Sequence, residues 1–235
     1  MTDFSAEEIA QVIYRYPRLH SAGCGVLEGF LDLHAIFDGE ERRDEFQVRI
    51  VAPPDYPNSM PTLFETGTRT AEIATKYGIA DLSDLHRNPG IGTACLCVKQ
   101  EEQRRFPEGS NLFHFIEALV VPYLFGLSHF DEHGKWPWPD HSHGVLGIVE
   151  HYADTTGDPS VESINSTLKL LRRDPSWHEL RRQLRKPSAM RMCVCGSKRS
   201  ASCCHKDVWA GIAKLNSDMQ KLGLDVHQTL LNVKL

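Results

Sequence analysis

The sequence predicts an α+β chain: an antiparallel β meander with flanking helices over residues 1–155, a basic helical linker over 156–190, and a small helical module rich in cysteine over 191–235. Three observations predict it. Apolar residues alternate along 26–37 (Leu31, Leu33, Ala35) and 45–51 (Phe46, Val48, Ile50), the period of half-buried strands, whereas elsewhere they recur at helical spacing. Charge is divided: residues 1–171 hold 13 Lys and Arg against 26 Asp and Glu, and 172–206 hold 10 against 2, so the net charge of -5 conceals an acidic body and a basic segment. Cysteine is divided too, with Cys24, Cys95 and Cys97 in the body and Cys193, Cys195, Cys203 and Cys204 crowded near the end.

Residues 5–14 read as the first helix, with Ser5 as N-cap, Glu8 in the capping-box position and Ile9, Val12 and Ile13 on one face; Pro17 ends it. The two strands follow, with Asp38-Gly39-Glu40 between them. Pro53, Pro54, Pro57 and Pro61 then interrupt the chain, after which 62–64 reads as a further strand and 70–77 as a helical turn. Residues 84–108 are irregular around Cys95, and a long loop inside a compact domain is more often functional than accidental. A buried helix over 112–127 is expected to kink or end at Pro122. With His114, Glu117 and Pro122 it is too short and too polar for a bilayer span. An aromatic loop at 135–143 precedes a helix at 145–153 and a turn-rich linker at 155–160. Ile164, Leu168 and Leu171, then Trp177, Leu180 and Leu184, keep helical spacing on either side of Asp174-Pro175, and Val208, Ile212 and Leu215 mark a closing helix over 208–222.

A hydrophobic share of 41% against 24% charged excludes disordered, collagen-like and coiled-coil classes. Asp3, Glu7 and Glu8 stand where a secretory peptide needs positive charge and then an apolar run, so a cytoplasmic location and no membrane partner are expected. An odd cysteine count in that setting points to metal ligands plus a reactive thiol rather than to a disulfide framework. The basic segment reads first as a solvated helix face, and otherwise as a surface for nucleic acid, an acidic partner or the acidic body itself.

Around Cys95 the order of features is Tyr56-Pro57, Pro61, and then His86-Arg87-Asn88-Pro89-Gly90-Ile91-Gly92-Thr93-Ala94-Cys95-Leu96. Over about residues 1–155 this resembles the ubiquitin-conjugating (E2) family, whose pattern is a helix, a strand meander, a Tyr-Pro, a His-Pro-Asn element and Gly-x-x-Cys-Leu. His86 and Asn88 match two residues of the His-Pro-Asn element, and Gly92, Cys95 and Leu96 match the cysteine motif. Arg87 stands where the family has Pro, Pro89 follows the Asn, and the gap to Cys95 is about one residue short. The divergence of the later helices and the Trp136-Pro137-Trp138-Pro139-Asp140 loop resembles the E2-like proteins of bacterial ubiquitin-like operons, some of them linked to anti-phage defence.

The resemblance implies a UBC-like fold and an E2-like transferase. A ubiquitin-like modifier would be accepted as a thioester on Cys95 from an E1-like activating enzyme, then passed to an amine on a target protein. A thiolate is both nucleophile and leaving group, which this chemistry needs. Asn88 is expected to hold the loop or to donate to the developing oxyanion, and His86 to brace the loop. Cys97 is the rival nucleophile, since two residues along an extended chain it would face the same side. Taken alone, Cys95 also reads as a small buried apolar residue, and the two cysteines as a redox pair. Asp131, Asp140, His141 and His143 are candidates for orienting or deprotonating an incoming lysine, and the two histidines also for binding metal. Cys24, between two glycines, reads as structural.

Cys193-Val194-Cys195, a glycine-containing turn and Cys203-Cys204-His205 complete the set of motifs. Together they resemble the SEC-C zinc motif. The resemblance makes Cys193, Cys195, Cys204 and His205 the ligands of one structural Zn2+; with Cys203 in place of Cys204 the register shifts by one residue. Thiolates and imidazole suit zinc, and a closed four-ligand site contributes folding energy to a segment too small for its own core. A second class of function is therefore an inactive E2-fold adaptor whose zinc module binds protein or nucleic acid. A cysteine hydrolase is a third, but no residue clearly orients His86 as a base.

Overall fold

The computed structural model describes residues 3–88, 90–138, 142 and 144–233. The chain is mixed α+β, with a four-stranded antiparallel sheet and flanking helices, and divides into two compact units, 1–139 and 140–235.

In the first unit, α1 (Ala6–Arg15) starts at a capping box: Ser5 Oγ accepts from Glu8 N at 3.2 Å, and Glu8 Oε2 accepts from Ser5 N at 2.8 Å. Strands β1 (Leu19–Gly23), β2 (Val26–Phe37), β3 (Glu40–Val51) and β4 (Thr62–Glu65) lie in sequence order in the sheet. β2 and β3 pair without a break from Val26↔Val51 to Phe37↔Glu40 around Asp38-Gly39, both with positive φ, the two-residue turn that suits a twisted hairpin. The pairing puts Leu27 opposite Ile50 and Leu31 opposite Phe46, all buried. β3 thus begins five residues before the apolar alternation does. Its first half is charged on both faces: Arg42 and Asp44 turn inward, with side chains 9% and 13% exposed, while Glu41 and Arg43 face outward.

After α2 (Arg69–Tyr77) and the loop carrying Cys95 comes one long helix, α3 (Leu112–His133). Pro122 neither ends nor interrupts it. A π-type turn over Ile116–Val120 lets Val121 N–H bond Ile116 O, so the wider turn falls immediately before the residue that has no N–H to give. At 22 residues α3 is longer than the sequence suggested and is apolar enough to cross a membrane, but 72% of its most apolar window is buried in the protein.

The second unit has its own core. Helices α4 (Val145–Asp154), α5 (Val161–Arg172), α6 (Trp177–Arg185), α7 (Lys206–Lys221) and α8 (Val226–Leu231) bury Val149, Tyr152, Ile164, Leu168, Leu171, Leu180, Leu184, Ile212 and Leu215 together. Gly211 permits the close approach of α7 to α4, since a Cβ there would collide with the Val149 carbonyl. The boundary expected at 155 therefore lies nearer 139, because α4 contributes its apolar face to this core. Residues 156–190, expected as a linker, are core helices with their basic residues outward. The buried Asp218 of α7 is 1% exposed and is matched by Lys214 at 2.8 Å, Lys221 at 3.0 Å and the Tyr152 hydroxyl at 3.2 Å.

Candidate functional site

Backbone hydrogen bonds build the turn that carries Cys95. Asp81 caps the 3₁₀ turn Leu82–Leu85 by accepting from Ser83 N at 2.9 Å, and the turn ends on His86 in a left-handed conformation, φ 54°. The chain then folds back on itself. Asn88 N donates to Thr93 O at 2.8 Å, Gly92 N to Asn88 O at 3.0 Å and Cys95 N to His86 O at 2.7 Å, while Arg87 pairs with Ala94. Ala94 N in turn donates to Leu63 O at 2.8 Å, which fixes the returning arm to β4.

This arrangement brings His86, Asn88 and Cys95 into one closed turn. Asn88 Nδ2 donates to Thr93 Oγ1 at 2.9 Å, so its amide holds the turn together. The His86 ring stands edge-on to Trp136, centroids 4.5 Å apart, and Trp136 Nε1 donates to Asp84 O at 3.1 Å. Sequence reasoning noted the tryptophan loop but missed its place against His86. The available signal was Gly126 inside an otherwise bulky buried helix: a Cβ there would collide with the Trp136 ring.

The two cysteines differ. Both are half-buried, and Cys95 Sγ lies 3.8 Å from Cys97 O. Cys97 packs against the core beside Leu96, and burial, with Glu102 and Cys95 adding to it, pushes its thiol up to about 12. Asp131 is engaged by Arg69 at 3.0 Å and Lys76 at 2.9 Å. Asp140, His141, His143 and Pro89 lie outside the described residues. Cys24 is exposed in the turn between β1 and β2.

Tyr56 is buried, and its hydroxyl donates to Glu8, which also accepts from Leu112 N at 3.0 Å. One carboxylate thus joins the start of α1, the proline-rich segment and the start of α3.

In the second unit, Met192 and Ser200 pair across a turn containing Gly196 and Lys198, both with positive φ, and the single helical turn Ala201–Cys204 follows. Cys193 Sγ comes within 3.2 Å of His205 Nδ1, and Cys195 Sγ within 3.5 Å of Cys204 Sγ. All four donor atoms lie within 4.8 Å of one another and can hold a metal ion. Cys204 belongs to this cluster; Cys203 is exposed outside it, and its carbonyl accepts from Arg199 at 3.1 Å. Burial pushes the Cys193 thiol up to about 12. Burial acts on Cys195 in the same sense, but hydrogen bonds from Ser197, Cys193 and Cys204 outweigh it and draw that thiol down to about 6. Metal binding at this cluster displaces the remaining thiol protons. Comparison with protein-family models, with curated proteins and with solved structures finds no match to this chain.

Proposed function

We propose that the first unit is a UBC-like domain acting as an E2-like carrier, with Cys95 holding the C-terminus of a ubiquitin-like modifier as a thioester. The observation that carries this reading is the closed turn in which Cys95 N meets His86 O while Asn88 braces the returning arm, because it brings the three motif residues together beside a strand meander. The Cys95 thiolate attacks the thioester delivered by an activating enzyme, and the departing thiol takes up a proton. The amine of a target then attacks the Cys95 thioester, expelling the thiolate and losing a proton as the amide forms. Asn88 and His86 act as positioning residues, keeping the turn closed so that the sulfur stays presented. Cys97 is a poor nucleophile, since burial keeps it a thiol.

The ion that suits the second unit is Zn2+, held by Cys193, Cys195, Cys204 and His205 and closed to substrate, so its contribution is folding energy. A second reading, an idle fold serving as an adaptor, is favoured by the independent core of that unit.

Intact mass of the protein, isolated without reductant and then treated with thiol, tests the carrier reading. An adduct of small-protein size that thiol removes and that Cys95→Ala lacks is expected. An unmodified mass, persisting with candidate activating enzyme, modifier and ATP supplied, would favour the adaptor.

A further inference from the structure

We propose that Glu40, His129 and His133 form a second metal site, in the first unit, for a divalent transition-metal ion. Glu40 opens β3 directly after the Asp38-Gly39 turn. His129 and His133 are four residues apart near the end of α3 and therefore share one face of that helix. One donor atom from each of the three lies within 4.8 Å of the other two. His129 Nδ1 is 3.0 Å from Glu40 Oε2, and the two imidazole rings have centroids 4.3 Å apart. Two ligand atoms at 2.0–2.1 Å from one tetrahedral ion lie about 3.4 Å from each other, so small side-chain adjustments close this shell.

The chemistry of the donors sets the class of ion. Two imidazoles and a carboxylate suit zinc, cobalt or nickel, whereas magnesium and calcium prefer all-oxygen shells. His129 is only 8% exposed and turns its Nδ1 to Glu40, so coordination through Nδ1 makes these two the neighbouring ligands.

Arg42 is the group an ion must accommodate. Its guanidinium touches Glu40 and lies 3.4 Å from His129 Nδ1, but it also holds Glu132 at 3.0 Å and the Ser128 carbonyl at 3.2 Å. An ion that takes Glu40 leaves Arg42 two partners. The bound ion would clip the tip of the β2–β3 hairpin to the end of α3, beside the packing of Phe37 on Phe125 that already joins sheet to helix.

Cobalt(II) titration of the metal-stripped full chain tests this independently of the cysteine cluster, because thiolate ligands give intense sulfur-to-cobalt absorption and a site of two histidines and a glutamate does not. The wild type is expected to bind two equivalents, only one of them with sulfur absorption. Cys193→Ser should retain an equivalent that lacks it. His133→Ala, at an exposed helix end, and Glu40→Gln should each weaken that equivalent by more than about 100-fold, the upper end of what losing a group that merely orients a ligand costs. The surface control His178→Ala should leave it unchanged. Thermal unfolding of the metal-free variants checks that each is folded. No second equivalent in the wild type and none in Cys193→Ser, or one that survives unweakened in both folded His133→Ala and Glu40→Gln, would overturn the proposal.

Discussion

The guanidinium of Arg87 reaches back to Glu65, with Nη1 3.0 Å from the Glu65 carbonyl oxygen and 3.5 Å from its Oε2. The Glu65 side chain is 3% exposed, and Arg87 supplies its counter-charge beside a 3.4 Å bond from Thr70 N. The contact ties the outgoing arm of the Cys95 turn to β4, as Ala94 N ties the returning arm through Leu63 O. A buried ion pair thus stiffens the outgoing arm of the turn.

Arg87→Met should therefore cost about 3 kcal/mol, because it leaves a buried carboxylate without its counter-charge. Urea denaturation measures that loss, and Glu65→Met in the same chain should recover much of it. If Cys95 is the carrier thiol, the double variant should still charge more slowly than the wild type, since neither methionine ties the arm to β4. A single variant with unchanged stability would show that the pair is not structural.

The difference between Cys95 and Cys97 predicts an order of alkylation. A thiol pushed up to about 12 is ionised in only about one molecule in 10⁴ at pH 8, so native Cys97 should react with iodoacetamide far more slowly than an unfolded cysteine. Peptide mapping after a timed pulse should find label on exposed Cys24 and on Cys95 well before Cys97, and denaturant should abolish the order. Early labelling of Cys97 in the folded chain would contradict the burial argument and reopen it as the carrier thiol.

How much of this was legible in the sequence varies with the physics of each part. The capping box at Ser5 and Glu8, the strand Val26–Phe37 and the cysteine cluster were readable because each depends on neighbours a few residues away. The early start of β3 at Glu40 was not, since Glu41, Arg42 and Arg43 carry no alternation and are held by pairing with β2. The passage of α3 through Pro122 was hidden for a related reason: a π-type turn is a property of backbone register, not of residue type. Long-range partners were hidden most. Nothing between Glu65 and Arg87, or between His86 and Trp136, announces that they meet. The helical spacing of Ile164, Leu168 and Leu171 was visible, but basic neighbours made a core helix read as part of a linker.

Metal removal should act locally. In protein loaded with metal, Cys193→Ser is expected to abolish binding at the cysteine cluster and to speed amide exchange across 192–205, where backbone contacts are few outside the turn. The helices that bury Ile164, Leu168 and Ile212 should keep their protection, because their core does not include the ligands Cys195, Cys204 or His205. Hydrogen exchange read by mass spectrometry, with metal content measured alongside, separates these segments. Collapse of protection throughout 145–231 would mean that the ion supports the whole unit.

The junction at Glu8 predicts an acid-sensitive component of stability. Burial by itself would raise this carboxyl, but hydrogen bonds from the Tyr56 hydroxyl, Leu112 N and Ser5 outweigh it and hold the group below its ordinary 4.5. A folded-state value lower than the unfolded one gives stability that is whole above about pH 4.5 and is lost as pH falls through the folded value. Glu8→Gln keeps the size and one acceptor oxygen but cannot ionise. It should be less stable than the wild type by about 1 kcal/mol near neutrality, and the two should converge on acidification as the wild-type carboxylate takes up its proton. Urea midpoints measured for both proteins across that range test this directly: curves that stay parallel down to the acid limit would mean that Glu8 is not the linked group, and that the joint of α1, Tyr56 and α3 is held by packing of Phe4 and Phe106 around the Tyr56 ring instead.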